Sequence, residues 1–316
     1  MISVRIDMKI ITLTLNPAFD IHCYTESFEP FHENLAHITA NEAGGKGVNI
    51  SRALTVNGIE NTALVVIGAD NGESFRRSLA SDGMSFCEIT VPGRIRENIT
   101  LHTKNAPETR ISFSGFDADD SLLEKVEEAL DGQIGTDTIL TFTGRIPEGI
   151  DIAKVKKMLG SMKAKGAKIV IDSRSFGKKD LIDAGPWLIK PNEEEIGAYT
   201  DIKVESFKDA KNAAEALRSA GIENVMISLG SKGAMLCCED GCFVAHAPKI
   251  NALSTIGAGD SSIAGFTAAA KQGVGYSEML RVAVCYGSAA CMTEGTRPPR
   301  KEDVDSLLKT VTVEKL

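Results

Sequence analysis

Residues 255–261, Thr-Ile-Gly-Ala-Gly-Asp-Ser, place two glycines and a carboxylate directly before a run of small residues. This pattern predicts a tight turn that leads into a buried helix, and such a turn leaves several backbone N–H groups free to bind an anion. The carboxylate of Asp260 follows the turn, where it can accept a proton from an attacking hydroxyl group. An anion site beside a base is what phosphoryl transfer to an alcohol requires. The alternative is an ordinary glycine-rich turn in which Asp260 caps the helix.

A second glycine-rich turn, residues 43–49 (Ala-Gly-Gly-Lys-Gly-Val-Asn), also precedes a predicted helix. Gly44 and Gly45 allow a ligand to approach the backbone, Lys46 adds positive charge, and the amide of Asn49 can both donate and accept hydrogen bonds. The chain contains no Gly-Lys-Ser/Thr and no Gly-x-Gly-x-x-Gly sequence. It therefore has neither a Walker A loop nor a Rossmann fingerprint. A plain helix-starting turn is the alternative for this segment.

Further polar residues follow predicted strands. Asp20 comes shortly after the first strand, at the sheet edge where open α/β proteins bind ligands. Asn192 and Glu195 lie one helical turn apart, which suits a water-mediated Mg²⁺ site, although an acidic helix start is the alternative. Residues 228–233, Ser-Leu-Gly-Ser-Lys-Gly, end another strand with a turn that a ligand can approach closely.

Composition excludes several classes of protein. With 316 residues, 43% hydrophobic and 25% charged, the chain has ample core for a globular protein. Its formal net charge of −8 argues against nucleic acid as a partner, and a site for an anionic substrate must carry its own cations.

No apolar run is long enough to span a membrane, and residues 1–8 lack the features of a signal peptide, so we expect a cytoplasmic protein with no membrane partner. Seven cysteines without framework spacing are expected to be reduced thiols.

Hydrophobic periodicity predicts alternating strands and helices. Strand-like runs occupy 9–15, 62–67, 138–142, 168–171, 187–189 and 224–229. Helical patterns occupy 47–56, 73–81, 121–130, 153–165 and 208–220, and a hairpin around 239–241 precedes helices at 258–271, 276–293 and 301–310. This alternation predicts an α/β fold whose mostly parallel central sheet is flanked by helices on both faces.

Two segments break the alternation. Residues 21–41 and 92–114 are β-prone and rich in turns, with no convincing helix. Together they are expected to form a small antiparallel β lid that projects from the main sheet. No linker or repeat separates them from the rest, so residues 1–316 are expected to form a single domain that carries this lid.

In this order the segments resemble the ribokinase-like (PfkB) family of carbohydrate kinases across essentially the full chain. The family's two signatures match residues 44–49 and residues 255–261, and both together at this separation are highly specific. Residues 16–20 (Asn-Pro-Ala-Phe-Asp), Arg96-x-Asn98 and residues 190–195 also fit the sugar-phosphate branch, which includes the 1-phosphofructokinases and tagatose-6-phosphate kinases.

The resemblance implies a role for each matching residue. Asp260 would be the catalytic base, with Gly257, Ala258 and Gly259 around the transferred phosphoryl group. The acceptor would be bound by Asp20, Gly44, Gly45, Lys46, Asn49, Arg96, Asn98 and Asp260. ATP would contact Ser228, Gly230, Gly233 and Gly259. Mg²⁺ would be organised through water by Asn192 and Glu195.

The expected activity is an ATP-dependent kinase that converts the hexose phosphate D-fructose 1-phosphate to fructose 1,6-bisphosphate. Tagatose 6-phosphate or fructose 6-phosphate is the alternative acceptor, and a non-catalytic sugar-phosphate binding protein is the alternative of a different class. A homodimer formed through the lid is the expected assembly. Arg145 stands where the family usually has serine, and both a phosphate contact and a surface-loop role are open for it.

Overall fold

The computed structural model of the protein describes residues 8–104 and 107–316. The expectation that the chain starts without a signal peptide concerns residues 1–8 and therefore lies almost wholly outside the described part. Residues 105 and 106, within the second predicted lid segment, lie outside it as well.

A large sheet forms the centre of the described part. Its strands are β1 (Lys9–Thr14), β4 (Thr62–Gly68), β5 (Phe86–Val91), β8 (Thr138–Thr143), β9 (Lys168–Asp172), β10 (Leu188–Ile189), β11 (Asn224–Ser228), β12 (Ala234–Cys238), β13 (Gly241–Ala245) and β14 (Val313–Lys315). They lie in the order β14-β13-β12-β11-β10-β9-β8-β1-β4-β5. The strands from β11 to β5 pair in parallel, while β12, β13 and β14 add an antiparallel edge. The predicted mostly parallel sheet is confirmed.

Helices cover both faces of this sheet. They are α1 (Lys46–Val56), α2 (Gly72–Ser81), α3 (Ser121–Leu130), α4 (Ile152–Ala164), α5 (Lys178–Ala184), α6 (Glu193–Thr200), α7 (Phe207–Ser219), α8 (Ala258–Lys271), α9 (Tyr276–Ala290) and α10 (Lys301–Leu307). In β1, Ile11 and Leu13 join the hydrophobic core on one face, while Ile10 joins the core on the other. Because successive strand residues point to opposite faces, a strand buried on both sides reads as a nearly continuous apolar run.

A second, small sheet contains β2 (Ala18–Thr25), β3 (His37–Gly44), β6 (Arg96–Thr103) and β7 (Thr109–Ser112) in the order β3-β2-β6-β7. Both predicted segments supply its strands, so the small sheet is confirmed. Each segment forms an antiparallel pair, and a parallel pairing of β2 with β6 joins the two pairs. The single domain with a moving lid stays a prediction.

The largest departures from the sequence-based expectations are short or exposed elements. We did not predict β5, α5 or β14, and of α6 we expected only the helical turn at residues 192–195. Each of these four elements is short or has a largely exposed face. The expectation of reduced thiols is wrong for one pair. Cys237 and Cys242 face each other across the β12–β13 hairpin with their Cα atoms 4.1 Å apart, and they form a disulfide.

No helix in residues 8–104 and 107–316 has the length and hydrophobicity needed to cross a membrane.

Candidate active site

A cleft of about 570 Å³ lies between the two sheets. Its floor consists of the carboxyl ends of parallel strands β8, β9 and β10 together with the first turns of α1 and α8. The small sheet forms its roof, through side chains of β2, β6 and β7. Open α/β sheets bind ligands at this edge because the chain leaves each parallel strand there.

Asp260 lies in the first turn of α8, which begins after Gly257 in a left-handed conformation (φ 80°). Its side chain is buried, and the Asn49 Nδ2 atom donates a hydrogen bond of 2.9 Å to Asp260 Oδ2. Burial raises the pKa of Asp260 to about 6, against the lowering effect of the Lys46 charge and with a further contribution from Asp172. A carboxylate with this pKa is a stronger base than an exposed one and is still ionised at neutral pH.

A buried ionic group lies next to this carboxylate. Asp172, the last residue of β9, has its Oδ2 atom 2.9 Å from Lys46 Nζ and 3.8 Å from Lys190 Nζ. Burial alone would raise the pKa of Asp172, but the two ammonium groups outweigh it and the pKa is lowered. Burial likewise opposes the charge on Lys46, yet Asp172 and Asp260 together raise its pKa. Lys46 is therefore charged beside the base.

Two glycines permit close contacts in the cleft. A Cβ atom on Gly44 would lie 2.2 Å from Asp20 Oδ2, so only glycine leaves room for this carboxylate. A Cβ atom on Gly259 would lie 3.0 Å from Lys190 Nζ, which brings the ammonium group against the backbone of the anion-binding turn. Because these two glycines have no side chain, they leave room for neighbouring protein side chains as well as for a ligand.

A second group of lining side chains combines one carboxylate with several cations. Asp20 Oδ1 accepts hydrogen bonds from Asn98 Nδ2 at 2.9 Å and from Arg110 Nη2 at 3.3 Å. Arg96 Nη1 donates to Asn98 Oδ1 at 3.3 Å, while its buried Nε has no hydrogen-bond partner. Burial, followed by the charge of Arg145, lowers the pKa of Arg96. These groups suit an anionic, hydroxylated ligand.

The structure brings most of the predicted site residues together. The cleft is lined by Asp20, Gly45, Lys46, Asn49, Arg96, Asn98, Asn192, Glu195, Ser228, Gly257, Gly259 and Asp260. Gly44 lies against Asp20 outside the lining, and Ala258 is the first residue of α8. Gly230 and Gly233 lie in the turn after Ser228, away from the cleft lining. A Cβ atom on Gly233 would lie 2.0 Å from the Ala245 carbonyl oxygen, so packing against β13 accounts for this glycine.

Asn192 and Glu195 cap α6. Asn192 Oδ1 accepts from the Glu195 backbone N–H at 2.8 Å, and Glu195 Oε2 accepts from the Asn192 backbone N–H at 3.1 Å. This reciprocal pair is a capping box, the helix-start alternative that the sequence left open. Glu195 Oε1 lies 3.3 Å from Arg174 Nε. Both side chains also line the cleft, so a role toward a hydrated metal ion stays a prediction.

Besides Arg145, four further charged lining residues were not assigned to the site from sequence: Arg110, Asp172, Arg174 and Lys190. For Asp172 and Lys190 a signal existed, because each lies at the carboxyl end of a parallel strand. Arg110 lies on an exposed strand whose pairing with β6 is not visible in the sequence. The open question about Arg145 is answered in part, since the residue lines the cleft.

This arrangement can activate a hydroxyl group beside an anion site. A buried carboxylate with a raised pKa adjoins the N-terminus of α8, and two lysines lie beside it. Helix N-termini and ammonium groups stabilise the charge that develops on a transferred phosphoryl group. In the described part of the chain, no three His, Cys, Asp or Glu side chains gather as a metal-holding group.

Comparison with known proteins agrees with this chemistry. The chain matches the pfkB family of carbohydrate kinases over residues 14–303. It is 32% identical over 257 residues to the 1-phosphofructokinase of Escherichia coli, covering 81% of this chain and 82% of that protein. It is 27% identical over 303 residues to the ATP-dependent 6-phosphofructokinase isozyme 2 of the same organism, covering 95% of this chain and 98% of that protein.

Solved structures give the same relationship. The crystal structure of phosphofructokinase-2 from Escherichia coli in complex with potassium superposes with a TM-score of 0.89 at 26% identity, covering 96% of this chain and 98% of that one. The expected ribokinase-like α/β fold is therefore confirmed. Together with the match over residues 14–303, the cleft geometry leads to one conclusion: the chain belongs to the pfkB family of carbohydrate kinases.

Proposed function

We propose that the protein transfers the γ-phosphoryl group of ATP to a ketohexose phosphate, with D-fructose 1-phosphate as acceptor and fructose 1,6-bisphosphate as product. The observation that carries the proposal is the buried Asp260 carboxylate at the N-terminus of α8, in the same cleft as Asp20, Arg96 and Arg110. A 1-phosphofructokinase at 32% identity supports this acceptor.

In the proposed reaction, Asp260 accepts the proton of the acceptor's primary hydroxyl group. The hydroxyl oxygen forms a bond to the γ-phosphorus while the bond between that phosphorus and the leaving ADP oxygen breaks. Asn49 keeps the carboxylate oriented through its 2.9 Å hydrogen bond. The N–H groups of the turn at Gly257 and Gly259, with Lys46 and Lys190 nearby, stabilise the negative charge on the phosphoryl oxygens.

ATP would lie along the turn that follows β11, with Ser228 at the cleft lining and its phosphates at the N-terminus of α8. Mg²⁺, when bound, would neutralise part of the negative charge of the phosphates. Asn192 and Glu195 would hold its waters, because oxygen ligands on one helical turn fit a hydrated hard cation. Glu195 is mostly buried and faces the cleft, which gives its carboxylate the right place for this role.

Product analysis tests the activity. The protein is incubated with ATP, Mg²⁺ and one acceptor at a time from fructose 1-phosphate, fructose 6-phosphate, tagatose 6-phosphate and unphosphorylated fructose. We expect fructose 1-phosphate to give the highest kcat/KM and fructose 1,6-bisphosphate to be formed. A higher kcat/KM with either 6-phosphate would assign that sugar instead. Tight sugar-phosphate binding without any ADP formation would identify a non-catalytic binding protein.

We further propose that two copies of the chain pair through their small sheets. The face of this sheet away from the cleft carries a cross-strand row of Ile21, Ile99 and Ile111, and Ile111 is 49% exposed. Ile38 and Phe113 extend this apolar surface at 64% and 50% exposure. A self-complementary apolar sheet face suits a two-fold interface.

Light scattering tests the assembly. We expect the native chain to have the mass of a dimer and Ile111→Glu to have the mass of a monomer. Val56→Glu changes another exposed apolar residue, 44% exposed at the end of α1, and should leave the mass unchanged. A native monomer would contradict this interface.

A further inference from the structure

We propose that Arg52 is a positioning residue for the reaction: it holds the side-chain amide of Asn49 in the orientation that donates a hydrogen bond to Asp260. The proposal rests on the kinase activity above, in which Asp260 accepts the proton of the acceptor. It assigns a role to a buried arginine that does not itself line the cleft.

The guanidinium group of Arg52 is fixed from outside the cleft. Arg52 lies on α1, is only 5% exposed, and donates from Nε to Asp82 Oδ2 at 2.8 Å. Its Nη2 atom donates to the carbonyl oxygen of Ala43, near the end of β3. Asp82 directly follows the last residue of α2. The end of one helix and the end of one strand therefore set the direction of the remaining nitrogen, Nη1.

That remaining nitrogen faces the amide beside the base. Asn49 precedes Arg52 by three residues, so the two side chains are neighbours on the helix surface. Arg52 Nη1 donates to Asn49 Oδ1 at 3.4 Å, and Asn49 Nδ2 donates to Asp260 Oδ2 at 2.9 Å. A guanidinium group can only donate and an ionised carboxylate can only accept. One orientation of the amide satisfies both neighbours, and the reverse orientation satisfies neither.

The need for Arg52 arises when the base has taken a proton. A protonated carboxyl group carries an O–H donor, and an amide turned by 180° would offer it Oδ1 as an acceptor. That contact would stabilise the protonated form, and Asp260 would then hold its proton instead of releasing it. Arg52 opposes the turn, because the reversed amide of Asn49 would point its N–H donors at the guanidinium donors. The amide therefore favours ionised Asp260 throughout the reaction cycle.

Loss of Arg52 should therefore change how Asp260 titrates. The hydrogen bond from Asn49 lowers the pKa of Asp260, against the larger effect of burial. Without Arg52 the amide can serve the protonated form instead, so the pKa of Asp260 should rise. The other charged groups that act on Asp260 remain in place when Arg52 is replaced: Lys46 on α1, Asp172 at the end of β9 and Lys190 after β10.

The kinetic test combines Arg52→Met with a change at Asn49. We expect Arg52→Met to lower kcat several-fold at pH 8 and to move the acid limb of kcat/KM to higher pH by about one unit, the low end of what a hydrogen bond to a charged group contributes. In an Asn49→Ala background the same substitution should leave the limb unmoved, because no amide is left to orient. An equal shift in that background would mean that the charge of Arg52 acts directly on Asp260, and it would overturn the proposal.

Two variants separate this role from stability. Arg76→Met breaks an ion pair of similar length, 2.7 Å to Glu88, at a position outside the cleft lining, and should lower the melting temperature without moving the acid limb. Arg52→Lys keeps the charge and can pair with Asp82, but one ammonium group cannot reproduce the forked contacts of a guanidinium. It should keep more stability than Arg52→Met and still move the limb to higher pH. A native acid limb in Arg52→Lys would overturn the positioning role.

Carbon-13 NMR of the aspartate carboxyl groups gives a readout that does not depend on turnover. The signal of Asp260 is assigned by its absence in Asp260→Asn, and its titration midpoint should be higher in Arg52→Met and Arg52→Lys than in the native chain. Thermal unfolding shows which variants are folded, and Arg52→Lys carries the test if Arg52→Met is not. An unchanged midpoint in a folded variant would overturn the proposal. Failure of every hexose phosphate as acceptor would instead overturn the proposed function, and the NMR titration would still judge Arg52.

Discussion

In the proposed function, a single carboxylate sets the chemistry of this cleft. Asp260 is buried beside Asn49, Lys46 and Asp172, and burial is the first reason that its pKa rises to about 6. The negative charge of Asp172 raises it further, while the lysine lowers it. The side chain is therefore ionised at neutral pH but keeps enough basicity to take a proton from an alcohol.

Activity should depend on this pKa. If Asp260 is the base, kcat/KM should fall as the pH drops through about 6, because protonation removes the acceptor for the hydroxyl proton. In Asp172→Asn the negative charge that raises the pKa is gone and Lys46 loses its partner. Both changes favour the ionised form of Asp260, so the acid limb of the pH–rate profile should move to lower pH. If the acid limb does not move, a group other than Asp260 controls the loss of activity at low pH.

Removing the base should slow the enzyme and stabilise the fold. Asp260→Asn should lower kcat by roughly 10²–10⁴, the usual contribution of a positioned acid–base group. Because the pKa of Asp260 in the folded protein lies above the ordinary aspartate value of 3.8, the folded protein binds the proton more tightly and loses stability as the pH rises toward 6. Above that pH the asparagine variant should gain on the order of 2 kcal/mol in free energy of unfolding. Urea unfolding at pH 8 and pH 4 measures this, and a loss of stability at pH 8 would support a helix-cap role.

From the sequence, we could identify those site residues that lie in a recognisable local motif. Asp260 and Asn49 each lie in a glycine-rich turn before a helix, and the structure places them in hydrogen-bond contact. Asp172 was missed because a single aspartate at the end of a hydrophobic run is common. Arg110 was missed because its position depends on which strand β7 pairs with, and no local pattern determines that pairing.

The helices that carry the site begin in different ways. Helix α8 starts at a left-handed glycine, α1 starts at Gly45 with φ 113°, and α6 starts at a capping box. The bounds of α8, Ala258–Lys271, agree with the predicted range because the glycine turn and the run of small residues mark both ends. Of helix α6 only the start was expected, and its extent was not predicted, since its eight residues hold only one buried side chain.

A methyl group at the entry to α1 should displace the acceptor-binding carboxylate. In Gly44→Ala the new Cβ would lie 2.2 Å from Asp20 Oδ2, so the carboxylate must move away from Asn98 and Arg110. We expect the acceptor KM to rise about 10- to 100-fold, the range for lost hydrogen bonds to a charged group, with the ATP KM unchanged.

Gly160→Ala is the control for that substitution. Gly160 lies on the exposed face of α4, and no heavy atom lies within 4 Å of its Cβ position. The change should raise the free energy of unfolding by about 0.5–1 kcal/mol through helix propensity and leave both KM values unchanged. Equal acceptor KM values in the two variants would contradict the contact between Gly44 and Asp20.

The substitution Glu195→Gln distinguishes the helix-capping role of Glu195 from its proposed role toward Mg²⁺. The capping box accepts glutamine in place of glutamate, so Glu195→Gln should keep the stability of α6. A neutral amide is a poorer partner for a hydrated cation, so the Mg²⁺ concentration for half-maximal rate should rise several-fold. Activity titrated with Mg²⁺, together with thermal unfolding, measures both effects. An unchanged Mg²⁺ requirement would leave Glu195 with the cap alone.

In the molecule as a whole, the alternation of strands and helices made the parallel central sheet predictable. The two small-sheet segments were recognised because neither contains a helical pattern. Their mutual arrangement was not predictable, since β2 and β6 pair in parallel across a separation of 78 residues between Asp20 and Asn98. The cross-strand disulfide was also missed, although a hairpin register that pairs Cys237 with Cys242 follows from a turn at residues 239–240.

The chain crosses between the two sheets four times in the described residues: after β1, after β3, after β5 and after β7. We expect a sheet connected at four points along one edge to tilt about that edge rather than to slide. Arg96 and Arg110 lie within a few residues of these crossings, whereas the loop between β2 and β3 lies at the opposite end of the sheet, where Phe31 is fully exposed. A small tilt should therefore move this loop through a longer arc than it moves the two arginines.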